Sequence, residues 1–289
     1  MTGPPSVPAL PDGRTVDLPG RGATFVRGSV GPPGAPTVLL LHGWTVNADV
    51  AWYPTFAAVG RRYRVVAPDL RGHGRGVRPP DGRVRLADAA DDVAALCAAL
   101  GVDRAVVVGY SMGGAVAQLL WRRHPALVAG LVLCSTARHF RGGPMSGLLS
   151  HGQTALARAL RASPVAGQWA MARMVNGKVD RGRHADWIRA ELLRGDPSLL
   201  LSAGASIGRF DSSAWIGTVD VPAAVIVTTR DHTVPTGRQR GLAAALPGAR
   251  TWDVDGPHNA AVTRADRWVP ALLAALAAVA DREVQPEPG

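Results

Sequence analysis

The chain is almost without lysine: of its 289 residues only Lys178 is one, so 31 of the 32 basic residues are arginine. The formal net charge is +10. The arginines are scattered and form no long basic run, so the excess does not read as a nucleic-acid footprint. The skew reads instead as a coding bias, and attraction to a membrane surface stays a minor alternative. Cysteine is scarce as well. Cys97 and Cys134 each sit in an apolar pattern, which favours reduced, buried thiols over a disulfide or a metal pair. No H-E-x-x-H or C-x-x-C occurs, and no metal is expected. No G-x-G-x-x-G follows an apolar run. The glycine-rich stretch 72–76 opens no helix and lacks the lysine of a phosphate loop, so no cofactor is expected either. Apolar runs fall short of a membrane span. The opening MTGPPSVPALPDG has neither the charged nor the apolar part of a secretory signal, and a cytoplasmic location is the expectation.

What is present centres on residues 104–123, RAVVVGYSMGGAVAQLLWRR. The pattern predicts a short strand over 105–108, a turn over 109–113 and a helix from 114 to about 123. Ser111 sits on that turn between Gly109 and Gly113. Strand and helix are forced together there, and a Cβ at either glycine would collide. The G-x-S-x-G pattern alone is weak, since with 34 glycines chance supplies about 0.2 copies in such a chain. The chain contains its own control. Residues 204–208, GASIG, match too, but no β-rich run precedes them and Arg209-Phe210-Asp211 follows in place of an apolar helix. Context selects Ser111 and rejects Ser206.

The remaining pattern is rhythmic. Strands are predicted over 23–30 (an antiparallel edge), 37–41, 63–67, 129–133, 223–228 and 250–254. Helices are predicted over 51–61, 86–100, 237–246 and 265–280. Alternation of this kind predicts an α/β fold, a mostly parallel central sheet flanked by helices. The rhythm breaks between 138 and 215. That stretch holds no convincing strand and carries Met145, Trp169, Met171, Met174, Trp187 and Trp215. It reads as a helical cap inserted into a core of 21–137 and 216–282, its Met and Trp residues serving cap packing more than substrate contact. Residues 1–20 and 283–289 read as loose termini.

A serine hydroxyl needs a base within hydrogen-bond reach, and the base needs an orienting acid. In open parallel sheets such groups gather outside the carboxyl ends of the strands. Asp231, Asp253, Asp255 and His258 all fall at those ends, and His42 and His73 lie in loops at the same edge. His232 is adjacent to Asp231 and badly placed to pair with it. The order Ser111, Asp231, His258 agrees with that expected after such an elbow.

These stretches resemble the α/β-hydrolase family, in its serine-nucleophile, esterase- and lipase-like branch with a helical cap. The resemblance covers about 37–136 and 221–264. Thr229-Arg230-Asp231 with Val234-Pro235 is similar to the family's acid loop, and Gly256-Pro257-His258 to its histidine loop. It implies Ser111 as nucleophile, His258 as general base and later acid, and Asp231 as orienter. His42 and Gly43 would brace a loop. The backbone N–H groups of Trp44 and Met112 would meet the oxyanion. The implied activity is hydrolysis, through an acyl-enzyme, of a small-molecule carboxylic ester with an apolar acyl group. Thioester, amide and C–C hydrolysis, perhydrolysis and acyl transfer use the same three groups and stay open. So do a lipase acting at a membrane surface and a non-catalytic binding protein on this fold. Nucleic acid is not an expected partner, and the sequence does not set an oligomeric state.

Overall fold

The computed structural model describes residues 6–140, 146–176 and 182–284. Met145 and Lys178 lie outside the described residues, as does the tail 285–289. Eight strands form one sheet: β1 (Gly13–Leu18), β2 (Gly22–Ser29), β3 (Thr37–Leu41), β4 (Arg64–Pro68), β5 (Ala105–Tyr110), β6 (Val128–Cys134), β7 (Ala223–Thr228) and β8 (Arg250–Val254). Their spatial order is β1-β2-β4-β3-β5-β6-β7-β8. The first two strands are antiparallel to their neighbours and the rest run parallel.

Alternate strand residues face opposite layers, so each central strand must be apolar on both sides. In β3, Leu39 and Leu41 enter one core with α3 (Leu86–Ala99), α4 (Met112–Arg123) and α9 (Thr236–Ala245). Val38 and Leu40 enter the other, with α1 (Ala48–Trp52), α2 (Phe56–Gly60), α10 (Ala260–Thr263) and α11 (Ala265–Val284). Every residue of β5, β6 and β7 is buried. Full burial of one Val- or Leu-sized side chain contributes roughly 1.5–3 kcal/mol, so these strands anchor whatever is built on their ends.

Four expectations are corrected. Residues 13–18 are not loose: they form β1, paired along its length with β2 through a turn closed by the Arg21 amide on the Leu18 carbonyl. The Pro- and Gly-rich composition around it hides a short alternating strand, and β2 is consequently not an edge. The helix expected over 51–61 is two short helices, α1 and α2, because Pro54 lacks the N–H that would carry one through. The last helix runs on to Val284, so residues 283 and 284 belong to it.

Between β6 and β7 the chain leaves the sheet as α5 (Ser146–Ala162), α6 (Pro164–Asn176), α7 (Ala185–Leu193) and α8 (Pro197–Arg209). An antiparallel bridge between His139 and Asp211 ties the two ends of this excursion together. Met171, Val175 and Leu200 pack on one another within it, Trp187 is buried, and Trp169 is 68% exposed. Trp215 stacks on Trp121 of α4 instead.

Candidate active site

Ser111 joins β5 to α4 with φ 54° and ψ −115°. A non-glycine residue held there costs about 1–3 kcal/mol, so its surroundings must over-determine it. They do. The Ser111 amide donates to the Cys134 carbonyl at 2.9 Å, and its own carbonyl accepts from Thr136 Oγ1 at 2.8 Å. A Cβ on Gly109 would lie 2.5 Å from the Gly113 carbonyl oxygen, and one on Gly113 only 2.1 Å from that of Leu41. The first substitution would push α4 off β5, and the second would push it off the end of β3. The side chain is thereby fixed at the carboxyl end of the sheet, at the N-terminus of α4, where the helix dipole favours negative charge.

Two remote side chains meet it. His258 Nε2 is 2.9 Å from Ser111 Oγ, and His258 Nδ1 is 2.7 Å from Asp231 Oδ2. An ionised carboxylate can only accept, so Nδ1 carries the ring proton and Nε2 is left to accept from the serine hydroxyl. Asp231 lies just past β7 and is itself heavily supported. Thr228 Oγ1 and Gln239 Nε2 donate to its Oδ2 at 2.8 and 3.0 Å, and the amides of Thr233 and Val234 donate to its Oδ1, each at 2.8 Å. Burial raises its pKa, but the hydrogen bond and charge of His258, the Val234 amide and the Thr228 hydroxyl outweigh it. The net displacement is downward, and the carboxylate stays charged.

The other candidates are accounted for elsewhere. Asp253 pairs with Arg240, and Asp255 with Arg230 and Arg267, all about half exposed. His232 is exposed. His42 is fully buried, its Nδ1 on the Gly43 carbonyl at 2.8 Å and its Nε2 accepting from the Leu70 amide at 2.8 Å. Both ring nitrogens are thus used in holding two loops together, and burial lowers its pKa to about 4. His73, buried 5.3 Å away, is lowered to about 3, mainly by burial with His42 adding to it. Ser206 is in α8 and donates to the Val84 carbonyl, so the second G-x-S-x-G is no elbow.

The loop after β3 passes close to the serine: a Cβ on Gly43 would sit 2.9 Å from the Tyr110 ring and 3.4 Å from Ser111 Cβ. Trp44 follows it. Among the described residues neither the Trp44 nor the Met112 amide has a hydrogen-bond partner. Below the loop, buried Asp49 accepts from Arg27 and Arg75, which hold its carboxyl below the usual range although burial works against them.

Three contributors were not evident from the sequence. Tyr110 occupies an unspecified position of the elbow motif. Its hydroxyl donates to the His258 carbonyl at 2.5 Å and its ring stacks on the imidazole, centroids 5.5 Å apart. Thr228 and Gln239 are the others, and the polar helix around Gln239 gives no hint that this side chain is buried. A cavity of about 380 Å³ lies between α5, α6 and the α7–α8 junction; Ser111, Asp231 and His258 do not line it. No cluster of three or more His, Cys, Asp or Glu placed for a metal occurs among the described residues. Among them, too, no helix is long and apolar enough to cross a membrane.

Comparison with known proteins agrees with this architecture. The profile of a family described as the alpha/beta hydrolase fold matches residues 36–265. A pimeloyl-(acyl-carrier protein) methyl ester esterase of Chromobacterium violaceum is 32% identical over 225 residues, covering 74% of this chain and 83% of that protein. An enol-lactonase from Burkholderia xenovorans LB400 superimposes with a TM-score of 0.75 at 26% identity, over 91% of this chain and 99% of that one. A thermophilic esterase from Thermogutta terrifontis gives a TM-score of 0.75 over 93% and 99% of the two chains. Its 22% identity speaks for the fold alone. The chain belongs to the α/β-hydrolase family.

Proposed function

We propose that this protein is a serine hydrolase that cleaves a carboxylic ester through an acyl-enzyme. The carrying observation is the continuous relay from Ser111 Oγ to His258 Nε2 at 2.9 Å and from His258 Nδ1 to Asp231 Oδ2 at 2.7 Å. Ser111 Oγ attacks the ester carbonyl carbon while its proton passes to His258 Nε2. The carbonyl π pair moves onto oxygen, and the resulting oxyanion accepts from the Trp44 and Met112 amides. Collapse breaks the bond to the alcohol oxygen, which leaves with the proton from Nε2. Water then repeats the sequence on the acyl-serine, releasing the acid and returning the proton to Ser111. Asp231 stays ionised throughout and stabilises the imidazolium.

The names of relatives support the ester class: an esterase of a methyl ester and an enol-lactonase both open a C–O bond at a carbonyl. The test uses short-chain p-nitrophenyl esters and a fluorophosphonate probe. The wild type is expected to show a burst of p-nitrophenol and one covalent label at Ser111. Ser111→Ala is expected to lose both and to cut kcat by about 10⁶, with its melting temperature unchanged. A folded wild type that neither turns over nor labels would make this a binding protein on a hydrolase fold.

A further inference from the structure

We propose that cap helix α8 sets the geometry of the oxyanion loop, with the Trp44 side chain as a positioning group and Gly204 as the gap that admits it. This rests on the hydrolase reading above. Trp44 Nε1 donates to the Leu200 carbonyl at 2.7 Å, a contact spanning 156 residues of sequence. One helical turn further on, a Cβ on Gly204 would lie 2.8 Å from Trp44 Cζ2 and 3.3 Å from Cε2 and Cη2. The indole therefore lies flush against the helix because residue 204 has no side chain. The first glycine of the decoy motif 204–208 serves a close approach of another kind than an elbow.

The residue after Trp44 explains why such a clamp is needed. Thr45 is held at φ 68°, a left-handed conformation that a β-branched residue resists. It persists only where both sides of it are fixed. On one side is the Trp44 indole on α8. On the other, Asn47 Nδ2 donates to Glu191 Oε2 of α7 at 2.9 Å, while Asn47 Oδ1 caps α1 through the Val50 amide. The segment 44–47 is thus pinned at both ends by the cap. Helix α8 is itself fastened to the core through Ser202 Oγ, which accepts from the Val84 N–H at 2.9 Å.

An oxyanion donor works only when its N–H lies 2.7–3.1 Å from the developing charge. A small rotation of the 43–44 peptide forfeits that contact without touching substrate binding. Releasing the indole from α8 should therefore slow the chemical step and leave the ground state alone.

The experiment compares three full-length variants. Trp44→Phe keeps an aromatic ring and removes the N–H. Gly204→Ala fills the gap. Ser206→Ala removes an α8 hydrogen bond that does not touch the loop and leaves the Ser202–Val84 bond in place. Trp44→Phe and Gly204→Ala should each lower kcat on p-nitrophenyl butyrate by about tenfold or more. KM should stay within about twofold, and affinity for an alkyl boronic acid, a tetrahedral mimic on Ser111, should weaken in parallel with kcat. Ser206→Ala should keep kcat. Wild-type kcat in the first two variants, or an equal loss in Ser206→Ala, would overturn the proposal. Amide hydrogen exchange over 45–51 supplies a readout that needs no turnover. It should quicken in Trp44→Phe and Gly204→Ala but not in Ser206→Ala, and unchanged exchange would overturn the coupling. If the wild type is inactive while exchange quickens as stated, the hydrolase reading fails and the α8–loop coupling stands.

Discussion

Asp231 and Trp169 show how differently the two parts of this chain are built. Asp231 is buried and accepts five hydrogen bonds, from Thr228, Gln239, Thr233, Val234 and His258. Trp169, on the cap, is 68% exposed, and its recorded ring partner is the Arg173 guanidinium, 5.8 Å from the centroid. Around Asp231 each polar group fixes the next, so the groups proposed to react have little freedom. The outer cap helices α5 and α6 leave Leu156, Val165 and Trp169 exposed. Helices α7 and α8 reach down to the loop beside Ser111, through Glu191 on Asn47 and Leu200 on Trp44.

The sharpest way to break this contrast is at the buried carboxylate. Asp231→Asn places an amide where four protein donors besides His258 converge, and it favours the wrong imidazole tautomer. We expect kcat to fall by about 10⁴ with modest change in KM. The variant should also melt earlier, because an NH₂ must face other donors. A loss of less than about tenfold would mean that His258 is oriented by other groups, Tyr110 first among them.

A second test concerns the bracing histidine. His42 has a pKa near 4 in the folded chain against 6.5 for the free ring. The unfolded chain thus takes up a proton below pH 6.5 that the folded chain refuses until about pH 4. The stability contribution is complete above pH 6.5, is lost progressively as pH falls, and is gone below about 4. The gap between the two values is worth about 3 kcal/mol. His73 acts in the same sense. Denaturant midpoints measured between pH 7.5 and 4 should decline in the wild type. In His42→Asn, less stable at neutral pH, the decline should be shallower; parallel slopes would show that His42 does not titrate with unfolding.

How much of this could be read from the sequence follows the range of each interaction. β7 and β8 match their expected ranges, because an apolar or alternating run of that length has few other fates. Ser111 was singled out by a local conjunction of apolar run, paired glycines and amphipathic helix. His258 and Asp231 needed the order of strand ends as well. β1 escaped because prolines and glycines flank six pairing residues, and α1–α2 was over-extended across Pro54. Tyr110 and Gln239 were illegible for another reason: nothing adjacent in sequence distinguishes a tyrosine that holds a carbonyl 148 residues away from one that fills a core. The Trp44–Leu200 contact is of the same long-range kind, and the cap was correspondingly the part least open to sequence reasoning.

The smallest expected effect makes the comparison most specific, because it sets one tryptophan against another. Trp44 and Trp169 are the same residue type, one in the loop proposed to hold the oxyanion and one on the outer cap. Truncating Trp169 removes a ring already mostly in water and a solvent-exposed cation–π contact. Trp169→Ala should change stability by no more than about 0.5 kcal/mol, and kcat/KM on a short acyl ester should stay within about twofold. The milder change Trp44→Phe should cost far more. If Trp169→Ala instead lowers kcat on the same short ester, the outer face of the cap is coupled to the reacting groups. The division drawn between the two regions would then have to move outward to include α6.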